Sequence, residues 1–269
     1  MKNILKEEIS RINELIFIKE NEEGLGKYMD STYLKTSDQA GISDEETDVI
    51  IFDTIKDAID HNMKLVMIRP EYVEAARKFI DEKGANVLVG TVIGFPNGDN
   101  SHAEKMDEAI KAIEDGVDEL DFVVDYKAFK NGDLDKVKKE VSEGTAIGVD
   151  KGKSVKWIIE SAALTSEEIA ELTSLISEIV IETVGIEKAT NVFVKTSTGF
   201  FTPEDGSPGG ATIDAVSIMS QNAGPLKVKA SGGIYSKDDV LAMVNAGASR
   251  IGTSAAKEIM LGQETNKDY

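Results

Sequence analysis

Short β-branched runs alternate with helical segments along almost the whole chain, and this alternation limits the possible folds more than any other feature. Eight runs have the length and composition of buried strands: KYMDSTYL at 27–34, KLVMI at 64–68, NVLVGTVIG at 86–94, ELDFVV at 119–124, SVKWIIE at 154–160, NVFVK at 191–195, LKVKAS at 226–231 and RIGT at 250–253. The segments between them carry helix punctuation. Ser43 with Glu46, Ser101 with Glu104, Thr165 with Glu168 and Ser236 with Asp239 each place a hydroxyl at a helix entry and a carboxylate three residues on, so that both can take free amides of the first turn. Pro70 suits a first helical turn, and Gly84, Gly116 and Gly247 stand where a helix exit needs a left-handed residue. Helices are therefore expected through Ile59, from Pro70 to Gly84, from Ser101 to Gly116, near 134–146, over 165–184 and 211–221, from Ser236 to Gly247, and up to about Leu261. Strands that alternate with helices run parallel, and eight βα units in 269 residues predict an α/β fold, a closed (β/α)8 TIM barrel. An open doubly wound sheet is the alternative, but no G-x-G-x-x-G follows an early strand. Leu5, Ile9, Ile12 and Ile16 add an N-terminal amphipathic helix, expected to cover one end of the core. No linker divides the chain, so one domain over 1–269 is expected, with the covering helix in 1–20 and a flexible tail at 263–269.

Composition narrows the function by exclusion. No apolar run approaches the ~18 residues of a membrane span, and the N-terminus has neither the apolar stretch nor the cleavage site of a secretory signal, so no membrane partner and a cytoplasmic location are expected. The chain has no cysteine, hence no disulfide, thiol nucleophile or thiolate metal site. A net charge of −19 speaks against a nucleic-acid partner. It also means that an anionic substrate would need an amide-lined or locally basic pocket. Only His61 and His102 are present, which excludes a three-histidine zinc centre, and no metal is expected.

In a barrel the chemistry lies at the C-terminal ends of the strands, on inward-facing residues. Lys195 ends the sixth run. It either reaches water or, if desolvated, stays partly neutral near pH 7 and attacks a carbonyl to form an imine. Asp121 lies between Leu120 and Phe122, so it faces the barrel interior either as a structural ion pair or as an acid/base group. In LKVKAS, Lys227 and Lys229 share a face and spacing cannot choose between them; Lys229 is favoured because it lies nearer the strand's C-terminal end. Two lysines converging in a dry cavity repel, which would keep one of them a free amine. Ser231-Gly232-Gly233 after the seventh run and Gly252-Thr253-Ser254 after the eighth are glycine-bearing turns at the place where barrels hold phosphate on backbone amides.

These stretches together resemble the class I, Schiff-base-forming deoxyribose-phosphate aldolases over nearly the whole chain. The matching motifs are MDSTYL at Asp30, TVIGFPNG from Thr91, DELDFVV at Asp121, WIIES at Glu160, VKTSTGF at Lys195, VKASGGI at Lys229 and RIGTS at Ser254. The resemblance implies that Lys195 forms the imine, Asp121 is the acid/base carboxylate and Lys229 perturbs Lys195. It places Asp30, Thr196 and Gly199 with the two glycine turns around the substrate. The tyrosine some members carry at the extreme C-terminus would be Tyr269, moving a proton at the acetaldehyde methyl carbon. The implied reaction is reversible cleavage of 2-deoxy-D-ribose 5-phosphate to acetaldehyde and D-glyceraldehyde 3-phosphate, with no cofactor or metal. The expected partners are a small sugar phosphate and further copies of the chain, as a homodimer.

Four departures from the family pattern stand out. Tyr235 takes a place commonly held by arginine, Ala255 one often held by a second serine, and Ser31 that of a usual histidine; the loop from Phe200 to Gly210 is long and carries Glu204 and Asp205. They leave open a second reading, a lysine-dependent aldolase of a related, unphosphorylated substrate. A third, a non-catalytic barrel that only binds a sugar phosphate, is disfavoured by Lys195, Asp121 and Lys229 all being in place.

Overall fold

A computed structural model describes residues 12, 16, 22–263 and 265. Eight parallel strands close a barrel in the order β1-β2-β3-β4-β5-β6-β7-β8. They are β1 Met29–Thr32, β2 Leu65–Ile68, β3 Leu88–Ile93, β4 Glu119–Val123, β5 Ser154–Ile158, β6 Val192–Lys195, β7 Lys227–Ser231 and β8 Arg250–Thr253. Each falls inside the run expected for it. The runs exceed the strands by a residue or more at most ends, because apolar neighbours continue into the turns. Of the covering helix expected in 1–20, only Ile12 and Ile16 are described; both are helical and exposed. The other residues of that helix, like Tyr269, lie outside the described residues.

The helix entries follow the side-chain chemistry. Ser43, Ser101, Thr165 and Ser236 each accept the N3 amide, and Glu46, Glu104, Glu168 and Asp239 return the bond. Pro70 opens a 3-10 turn, Pro70–Tyr72, that leads into the helix Val73–Glu82. The helix expected to stop near Val184 continues to Ala189 across a break at Gly185, whose φ of 80° no helix accommodates. Two short helices, Ser37–Ala40 and Tyr126–Lys130, carry too little apolar periodicity to be seen in the sequence. No helix among the described residues is long and apolar enough to cross a membrane.

Two cores result. The larger one fills the layer between strands and helices, with Phe122 stacked on Trp157 at a centroid distance of 4.8 Å. The smaller one lies on the other face of the sheet, inside the barrel: Leu34, Leu65, Met67 and Val92, joined by Leu88, Phe95 and Phe200. It occupies only the β2–β3 side. Gly90 on that side leaves the room that Met67 and Leu65 fill, since a Cβ there would stand 2.6 Å from the Met67 methyl. The rest of the interior holds buried charges, with Phe193, Ile158 and Val123 on the same inward face.

Candidate active site

Strand register brings those charges together. Residues paired across adjacent parallel strands point to the same face. The pairs Asp121↔Lys156 between β4 and β5, Lys195↔Lys229 between β6 and β7, and Lys229↔Arg250 between β7 and β8 therefore all point inward. Glu119, two residues before Asp121, shares its face, and Asp30 enters from β1. All are buried.

Lys195 Nζ and Lys229 Nζ each lie 2.9 Å from the same oxygen, Asp121 Oδ2. Lys229 also stands 2.6 Å from Asp30 Oδ2. Lys156 bonds to Asp121 Oδ1 and lies 2.6 Å from Glu119 Oε2. Arg250 forks between two carboxylates, with Nε 2.8 Å from Asp30 Oδ1 and Nη1 3.0 Å from Glu119 Oε1. Lys229, not Lys227, is thus the neighbour of Lys195; Lys227 is exposed at the other end of β7, 5.5 Å from the Phe193 ring centroid.

The protonation states follow from these surroundings. Burial lowers Lys195 from 10.5 to about 8; Asp121 opposes the shift, and Lys229 and Lys156 add to it. Repulsion between the two lysines therefore contributes, but desolvation is the larger cause. Burial alone would raise Asp121, yet Lys156, Lys195 and Lys229 hold it well below the usual carboxylate range. At tenfold per unit, the drop in Lys195 raises its free-amine fraction at pH 7 by about 300-fold. An amine in that state, beside an ionised carboxylate, is equipped to add to a carbonyl.

Lys195 closes the floor of a cleft of about 630 Å³, open mouth included. Leu34 and Phe200 line one side, and Ser231, Gly232, Gly233, Gly252, Ser254 and Tyr235 the far end. Gly232 and Gly233 have φ of 84° and 74°, two successive left-handed positions that side chains rarely adopt. The long loop after Phe200 docks behind this turn, where Ala211 N–H donates to the carbonyls of Ser231 and Gly232. Gly210 touches Gly232 so closely that a Cβ would fall 2.4 Å from its carbonyl. Glu204 and Asp205 are exposed, and among the described residues no carboxylate lines the cleft. The loop's acidity thus stays out of the cavity, contrary to what a fold-over of that loop would give.

Other expected site residues are placed differently. Asp30, Asp121 and Lys229 lie beneath the cleft and do not line it. Thr196 is buried and ties two strand ends together, its Oγ1 accepting from Ser231 N–H at 3.0 Å. Gly199 lines the cleft at φ 83°. Near the tail, Thr265 Oγ1 donates to the Tyr235 carbonyl at 2.9 Å. The sequence reading passed over Glu119, Lys156 and Arg250, although the alternation that exposed Asp121 applies equally to them. It also passed over Glu160, whose left-handed φ of 52° turns the chain after β5. Burial raises its carboxyl to about 7, and it accepts from the Thr198 amide at 3.2 Å, steadying the loop after β6.

A scan against protein-family models returns no match. Comparison with individual proteins is more informative. A deoxyribose-phosphate aldolase of Thermococcus gammatolerans is 40% identical over 239 residues, covering 88% of this chain and 96% of the relative. One of Staphylococcus carnosus is 38% identical over 247 residues, covering 90% and 98%. The tetrameric deoxyribose phosphate aldolase of Aeropyrum pernix superposes with a TM-score of 0.74 at 27% identity, covering 93% of this chain and 95% of that one. With identity at this level spread over almost the whole length of both proteins, and a barrel of the same shape beneath it, the chain belongs to the deoxyribose-phosphate aldolase family.

Proposed function

We propose that the protein cleaves 2-deoxy-D-ribose 5-phosphate reversibly to acetaldehyde and D-glyceraldehyde 3-phosphate through an imine on Lys195. One observation carries this reading: a buried amine held near 8, at the end of β6 and on the floor of the cleft, 2.9 Å from a carboxylate oxygen that it shares with a second lysine. Lys195 Nζ adds to the C1 aldehyde of the open-chain sugar, and loss of water gives the iminium. Removal of the C3 hydroxyl proton then breaks the C2–C3 bond, releases the three-carbon aldehyde and leaves the two-carbon enamine. Protonation at C2 and hydrolysis free acetaldehyde and regenerate the amine. Asp121, kept ionised by its three ammonium neighbours, accepts and relays protons during carbinolamine formation and dehydration, and Lys229 is the donor on the other side of the same oxygen. Asp30 holds Lys229 in place. The amides of Gly232 and Gly233, with Ser231, Gly252 and Ser254, receive the phosphate. Borohydride reduction with acetaldehyde should label the peptide containing Lys195; label on Lys229 with Lys195 unmodified would refute the assignment. The chain is expected to assemble as a homodimer in the cytoplasm, which equilibrium sedimentation of the purified protein checks for assembly.

The unphosphorylated alternative rests on Tyr235, which lines the phosphate end without supplying a cation. A charge-assisted hydrogen bond is worth roughly 1.5–3 kcal/mol, about ten- to a hundredfold in affinity. Tyr235→Arg is therefore expected to lower KM for the 5-phosphate by about that factor and to leave free deoxyribose little changed. Equal effects on both substrates would show that residue 235 does not face the phosphate.

Tyr269 is proposed as the group that moves a proton at the acetaldehyde methyl carbon. Thr265 is fastened at the rim through Tyr235, and four further residues span at most about 14 Å, so the Tyr269 side chain is within reach of the cleft. Deleting Tyr269 should stop exchange of the methyl protons while borohydride trapping continues. Normal exchange in the shortened protein retires the role.

A further inference from the structure

Below Lys195 the buried charges close on themselves. Asp30 meets Arg250, Arg250 meets Glu119, Glu119 meets Lys156, Lys156 meets Asp121, Asp121 meets Lys229, and Lys229 returns to Asp30. Carboxylates and cations alternate, three of each, so the ring sums to zero, and each member has a partner of opposite sign on both sides. None is more than 5% exposed. The Phe193 ring packs against it, its centroid 5.9 Å from both Lys156 Nζ and Arg250 Cζ. Lys195 is a seventh ionisable group, attached through Asp121 Oδ2 alone, an oxygen that Lys229 already uses.

A net charge in so dry a space is costly, and the group with the fewest partners is the least costly to neutralise. Protonated Lys195 gives the cluster four cations against three carboxylates; neutral Lys195 balances it. We propose that the closed ring is a charge-balancing device for Lys195, in which Arg250 and Glu119, neither of them bonded to that amine, are positioning residues that decide how readily it gives up its proton for imine formation. The inference rests on Lys195 being the imine-forming residue and extends that reading to side chains that never meet the substrate. The charged groups that face Lys195 are Asp121 from β4, Lys156 from β5 and Lys229 from β7, with Glu160 acting through space from the turn after β5. All four are left unaltered in the test.

The experiment measures the pH dependence of borohydride trapping with acetaldehyde in the intact protein, with folding followed by circular dichroism. Three variants are compared with the unaltered chain: Arg250→Met, Glu119→Gln and the double variant. Arg250→Met leaves the ring one charge negative and should move the half-maximal pH up by about one unit. Glu119→Gln leaves it one charge positive and should move the midpoint down by about as much. The double variant is neutral again and should return to the unaltered midpoint. A purely structural role would move both single variants the same way, or neither, and either result overturns the proposal, as does a double variant that stays displaced. If a single variant fails to fold, the double variant must fold and titrate like the unaltered protein; its failure to do either counts against the ring. Absence of any label on Lys195 in the unaltered protein would overturn the underlying assignment instead, so the two failures are distinguishable.

Discussion

Lys195→Met is expected to abolish borohydride trapping with acetaldehyde and to cut turnover by at least about 10⁴-fold, while the protein still folds. The activity loss follows from chemistry. Without the amine no imine forms, and neither Lys156 nor Lys229 can substitute, because each is held between two carboxylates beneath the floor of the cleft. Retention of the fold follows from electrostatics. The six charges of the ring already balance, and methionine replaces the lysine stem with one of similar volume, so the change in stability should be about 1.5 kcal/mol or less. Trapping, steady-state turnover and a thermal melt check both halves. Residual trapping in the folded variant would mean that another amine carries the reaction.

Lys229→Leu should do the reverse: preserve the nucleophile, disturb its proton and weaken the fold. In the unaltered protein, trapping should rise about tenfold per pH unit below 8 and level off above it, because only the free amine reacts and Lys195 is held at about 8. Removing Lys229 deletes one ammonium that depresses Lys195 and leaves Asp121 Oδ2 to Lys195 alone. Both effects favour the protonated amine. The trapping midpoint should move above 8 toward the ordinary 10.5, lowering the rate at pH 7 by about tenfold or more. Burial persists in the variant, so the return is partial. Asp30 and Asp121 would each lose a buried partner, and breaking buried pairs in this way costs about 3–5 kcal/mol, visible in a denaturant titration. An unchanged midpoint would show that the two ammonium groups do not interact.

Much of this was legible in the sequence, and the reason is local. Strand and helix positions follow from apolar period, caps and glycines, all of which act over a few residues, so the eight strands fall where their runs do. Asp121 was legible because a charge between outward apolar neighbours has only the barrel interior to face, and Lys195 and Lys229 because they stand near the C-terminal ends of their runs. Lys156, between Val155 and Trp157, satisfies the first test, and Arg250, between Ser249 and Ile251, half of it. They were passed over because each resembles an ordinary strand residue until register shows what lies beside it: Lys156 faces Asp121 and Arg250 faces Lys229, 35 and 21 residues away in sequence. Gly210 belongs to the same class, since its contact with Gly232 depends on how the loop after β6 returns. Attribution was the other limit. Two lysines in one cavity suggest mutual repulsion, but how far each is removed from water, which here is the larger effect on Lys195, is a property of the closed barrel.

The division of the barrel interior bears on how this sequence can change over time. On the β2–β3 side Leu65, Met67, Leu88 and Val92 pack together as an apolar cluster, where volume-conserving exchanges are tolerated singly. On the other side no charge of the six-membered ring can be altered alone without stranding its partners, so replacements within the ring must arrive in compensating pairs. Independent drift on one wall and concerted drift on the other follow, and a directed library built on this scaffold should vary the apolar wall freely while leaving the ionic one to paired substitutions.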